Sequence, residues 1–153
     1  MDLHTVKSWE RKDHSLILQF EKGIAAVSFG AKDIIRFRST DSSEWNVEED
    51  LIVHAPDNNK LDFQLDIREN AIELSTGELR AELQLNPFAI AIFNKKGSKI
   101  LSSSDHFLSI EGNRKVVRFT LAEQEGIYGL GGISQNRKEL LQSRIRIYQQ
   151  TAV

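Results

Sequence analysis

The feature that most constrains this chain is a two-residue alternation of apolar and polar side chains, repeated along most of its length. Leu16, Leu18 and Phe20 alternate with Ile17 and Gln19, and in "IIRFRST" Ile35 and Phe37 alternate with Arg36 and Arg38. Phe63, Leu65 and Ile67 repeat the pattern, then Leu79, Ala81, Leu83 and Leu85, then Val117, Phe119 and Leu121. Successive side chains of a strand point to opposite faces, so each segment predicts a strand with one buried face. The breaks carry turn residues: Gly23, Gly30, Asn70, Gly77, Pro87, Gly97, Gly112 and Asn113. A strand and its turn recur about every ten residues, the spacing of an antiparallel sandwich or barrel. The expectation is an all-β antiparallel β-sandwich of about a dozen short strands. Helical character is confined to "SQNRKELLQS", residues 134–143, whose apolar content is Leu140 and Leu141. The polar, acidic stretch from Ser39 to Asp50 reads as an exposed loop.

Composition narrows the function classes. At 153 residues, 40% hydrophobic and 27% charged, the chain suits one packed domain. A net charge of −2 lacks the basic surplus of a nucleic-acid footprint, so no nucleic-acid partner is expected. Without cysteine there is no disulfide framework, thiolate metal site or cysteine nucleophile, and a cytoplasmic location is the expectation. No secretory core is visible in "MDLHTVKSWERKDHS", and the apolar runs are too short to span a bilayer, so no membrane partner is expected. The chain stops at Val153 just after the alternating Ile145 and Ile147, which suggests a single sandwich domain, residues 1–153, cut from a longer protein.

The densest motif is "EGIYGLGG", residues 125–132. A phosphate-cradling loop would need the G-x-x-x-x-G-K-[ST] or G-x-G-x-x-G spacing inside a βαβ unit, and neither spacing is present. The competing reading is a tight strand passage in which Gly129, Gly131 and Gly132 permit backbone angles or close approaches that a Cβ would block.

This stretch resembles glycoside hydrolase family 31, the α-glucosidases, α-xylosidases and relatives, whose motif reads E-x-hydrophobic-Y-G-L-G-E. Glu125, Ile127, Tyr128, Gly129, Leu130 and Gly131 match, and Gly132 stands where the family usually has Glu. "GIAAVSFGAKDIIRFRST" and "AIELSTGELRAELQLNPFAIAIFNKKGSKIL" resemble the early strands of the same family, so the likeness runs from about Gly23 to the end. It implies the galactose-mutarotase-like N-terminal sandwich of a retaining α-glycosidase, followed by a (β/α)8 catalytic barrel as its intramolecular partner. Retention needs two carboxyl groups roughly 5–5.5 Å apart. In the family both lie on the barrel, so this chain is expected to hold no catalytic residue and, alone, to be inactive. The resemblance also implies a loop reaching toward an α-linked oligosaccharide at the barrel mouth. Tyr148 would fall on its aromatic position, Gln149 and Gln150 on its polar ones, and Thr151 where the family has a sugar-contacting Asp. The implied substrate-binding set is Tyr148, Gln150 and Thr151, and the implied structural loop is Tyr128, Gly129, Gly131 and Gly132. No cofactor and no metal are expected.

Two other classes compete. One is a free-standing carbohydrate-binding sandwich, for which Trp9 and Trp45 are the stacking candidates. The other is an aldose-epimerase-type enzyme, which would pair a histidine such as His54 or His106 with Glu73 or Glu111. The four histidines, His4, His14, His54 and His106, show no metal-ligand spacing. The acidic loop lacks the calcium-loop pattern, and Arg137, Lys138, Arg144 and Arg146 read as a solvated face or an inter-domain contact.

Overall fold

The computed structural model describes residues 4–41, 61–111 and 114–121. They form ten strands in two antiparallel sheets and no helix. The first sheet holds β1 (Ser8–Lys12), β2 (Ser15–Gln19), β3 (Ile24–Ala31) and β4 (Ile34–Thr40), in that order. The second holds β5 (Gln64–Arg68), β6 (Ala71–Ser75), β7 (Leu79–Leu85), β8 (Phe88–Asn94), β9 (Lys99–Glu111) and β10 (Arg114–Thr120), again in chain order. Neighbours in sequence are neighbours in space, as short hairpin turns require.

Gly23, Asn70, Gly77, Pro87 and Gly97 sit between strands as the sequence placed them, whereas Gly30 lies inside β3 at a register shift between Phe29 and Ala31, and Gly112 and Asn113 lie outside the described residues. Gly23, Gly77 and Gly97 take φ of +97°, +88° and +80°, angles that residues with a Cβ seldom adopt. An added Cβ at Gly77 or Gly97 would meet nothing within 4 Å, so the backbone angle, not crowding, explains the glycine there. Asp13 turns the β1–β2 hairpin at φ +52°, an angle that short polar side chains tolerate. Asn94 accepts the backbone N–H groups of Lys96 (2.9 Å) and Ser98 (3.0 Å) through its own Oδ1, closing the β8–β9 turn.

Register brings the alternation of each strand into common rows. Leu65 faces Leu74, which faces Ala81, which faces Ile92. Ile67, Ile72, Leu83 and Ile90 form the parallel row. From these rows Ile72, Leu74, Leu83 and Ile90, with Leu65 and Ile92 packed beside them, meet Leu16, Leu18, Phe20, Ala25, Val27 and Phe29 of the first sheet in one core. Phe88 is its centre, with ring centroids 5.1 Å from Phe20, 6.2 Å from Phe37 and 5.9 Å from Phe107. The Phe20 and Phe107 rings meet Phe88 edge-to-face and Phe37 stacks on it, attractions that add to the burial of apolar area.

Backbone hydrogen bonds and one hydroxyl tie the sheets at their rims. The Phe88 N–H donates to the His4 carbonyl (2.6 Å) and the Val6 N–H to that of Leu85 (3.0 Å), just before the chain enters β1. The Thr76 hydroxyl, in the β6–β7 turn, donates to the Lys32 carbonyl in the β3–β4 turn at 2.6 Å.

The structure corrects three expectations. Strand β2 is buried on both faces: Leu16 and Leu18 enter the main core, while Ile17, 5% exposed, joins Ile24 and Ala26 in a second buried cluster on the other face. Cross-strand neighbours flank this cluster: Ile17 pairs with Glu10 and Ala26, and Ala26 with Arg38, whose long side chains can lie along apolar surface. Conversely, Ile67 (55% exposed), Val117 (48%) and Phe119 (46%) lie at the margins. They belong to β5 and β10, the outermost strands of the second sheet among the described residues. Third, Ser39 and Thr40 are the last residues of β4, paired to Ala25 and Ile24, and not part of a loop.

Candidate functional site

The residues that the sequence singles out for substrate contact, Tyr148, Gln150 and Thr151, lie outside the described residues, as do Tyr128, Gly129, Gly131 and Gly132 of the glycine-rich loop. So do Trp45, His54 and the basic cluster Arg137, Lys138, Arg144 and Arg146, and the side chains of His106 and Glu111.

Trp9 is described. It sits on β1 opposite Leu18, half-buried against the main core, so its ring serves packing rather than a sugar face. His14 follows Asp13 in the β1–β2 turn, and its Nδ1 is buried with no hydrogen-bond partner among the described residues. Glu73, imagined as the carboxylate of an epimerase, is committed elsewhere: it accepts from Arg80 Nη1 at 2.7 Å and from Arg68 Nη2 at 3.2 Å.

That pairing belongs to a feature the sequence did not reveal. On the outer face of the six-stranded sheet, Asp66, Glu73 and Glu82 stand side by side on β5, β6 and β7, each the direct cross-strand partner of the next. Like charges directly opposite are destabilising. Two guanidinium groups interleave with them: Arg68 reaches Asp66 and Glu73, and Arg80 reaches Glu73 (2.7 Å) and Glu82 (3.8 Å). The Arg80 guanidinium also lies 4.1 Å from the Phe93 ring centroid, which restricts it further. Three polar residues at alternate positions were visible in sequence, but their adjacency depends on register, which alternation alone leaves open.

Chemically this row is a charge lattice, not an acid–base pair. Its carboxylates are bound to arginines across neighbouring strands. Among the described residues no group of three or more His, Asp or Glu could hold a metal ion.

The described residues do line one open cleft, of about 550 Å³, between the start of β5 and the β6–β7 and β8–β9 turns. Its rim charges are paired: Lys95 with Glu78 at 2.9 Å, and Asp62 with Arg11. The Arg11 guanidinium lies 4.6 Å from the Phe63 ring centroid, and that ring is itself buried in the core. The cleft therefore presents neither a free aromatic platform nor a nucleophile with its base, the two arrangements that would point to sugar stacking or to catalysis.

The sandwich resembles that of the Flavobacterium johnsoniae GH31 dextranase FjDex31A, solved with glucose, at a TM-score of 0.78 and 15% identity, over 92% of this chain and 18% of that one. A GH31 α-xylosidase from a soil metagenome, solved with xylose, aligns at 0.70 and 16%, over 88% of this chain and 23% of that one. An uncharacterized Listeria monocytogenes protein aligns at 0.66 and 15%, over 85% and 13%. At such identities the likeness establishes the fold, and the chain spans less than a quarter of any of these three. No curated protein sequence matches it. Residues 25–149 match the model of the glycosyl hydrolase 31 N-terminal galactose mutarotase-like domain. That match covers most of the 153 residues and agrees with the two facing antiparallel sheets, so the chain belongs to the family of glycosyl hydrolase 31 N-terminal galactose mutarotase-like domains.

Proposed function

We propose that this chain is the non-catalytic N-terminal domain of a retaining α-glycosidase of the α-glucosidase or α-xylosidase type. It packs on a (β/α)8 barrel and shapes one wall of the substrate pocket. The observation that carries the reading is the family match over residues 25–149. The charge lattice is in keeping with it: Asp66, Glu73 and Glu82 are engaged by Arg68 and Arg80 across neighbouring strands, a structural use of carboxylates. The substrate is an α-linked oligosaccharide, in keeping with the glucose and xylose in the related structures. Tyr148, Gln150 and Thr151 contact it, and the turn at Tyr128–Gly132 aims that segment at the pocket. A cytoplasmic location belongs to the same proposal.

The test compares the 153-residue chain alone with the full gene product that carries it, on 4-nitrophenyl α-glucoside and α-xyloside. Turnover by the full product and none by the isolated chain is the expected result. Hydrolysis by the isolated chain would overturn the reading. Saturable sugar binding by the isolated chain, lost on Trp45→Ala, would replace it with a carbohydrate-binding module.

A further inference from the structure

We draw no further inference here: the strongest candidate, the exposed apolar strip of Val117 and Phe119 on the β10 margin of the six-stranded sheet, carries none because nothing in the structure shows what covers it.

Discussion

Two phenylalanines of this chain show how position, not residue type, sets energetic weight. Phe88 is fully buried and touches three other rings, whereas Phe119 is half in solvent and touches only Phe107 among the described rings. Truncating a buried Phe removes its transfer free energy and leaves a cavity, at about 3–5 kcal/mol. Phe88→Ala is therefore expected to cost that much in urea unfolding followed by circular dichroism. Phe119→Ala should cost less than about 1.5 kcal/mol, since much of its area is already wet. Equal losses at the two sites would mean that Phe119 is covered in solution. The turn glycines work through backbone angle. Gly77 has open space around it but a φ of +88°, so Gly77→Ala should destabilise by about 1 kcal/mol through strain, with no clash to relieve. A neutral or stabilising result in the same unfolding assay would contradict the left-handed turn.

At the level of the strand, β2 departs from simple alternation. Leu16, Ile17 and Leu18 are consecutive, and all three are buried. Ile17→Ala should thus cost about 2–5 kcal/mol, comparable with Leu18→Ala, although the two side chains point to opposite faces. A cost below about 0.5 kcal/mol would show Ile17 to be solvated. Strand β9 departs in another way. Its pairing with β10 shifts between Val117 and Phe119, and its pairing with β8 shifts between Ile92 and Phe93. Near these irregularities the Ile90 N–H donates to the Ser103 hydroxyl, at 2.8 Å. A side chain thus serves a backbone donor of β8 beside the irregular pairing.

Across the whole molecule, stability and activity are expected to separate. The described sheets share a core of their own, so the sandwich carries its own folding free energy, while the chemistry proposed for it belongs to a barrel elsewhere. Substitutions in the Phe20–Phe37–Phe88–Phe107 cluster should lower the melting temperature without a specific effect on substrate affinity. Thr151 is the opposite case. If it donates to or accepts from a sugar hydroxyl, Thr151→Ala in the full gene product should raise KM roughly tenfold, the effect of about 1.4 kcal/mol from one lost hydrogen bond, with kcat and melting temperature nearly unchanged. An unchanged KM would remove Thr151 from the proposed pocket.

Strands β2, β4, β5, β7 and β10 and most of the turns were legible in the sequence because both signals are local, whereas β1 and β9 carry no such alternation and Gly30, read as a break, lies inside β3. Alternation marks a strand within a few residues, and Gly23, Gly77 and Gly97 mark positions where only a few residue types can turn. The family was legible from the order of "EGIYGLGG" and the segments before it, although that motif itself lies outside the described residues. The burial of Ile17 and the exposure of Ile67 and Val117 were not legible, because both depend on how strands and sheets meet. The row Asp66, Glu73 and Glu82 was hidden for the same reason: seven to nine residues of chain separate its members, and only the pairing of β5, β6 and β7 brings them together. Alternation is a property of one strand, whereas register, sheet width and face-to-face coverage arise only when strands meet. The sequence by itself therefore determined the elements and their inward and outward sides, and the tertiary structure decided which of those sides were covered.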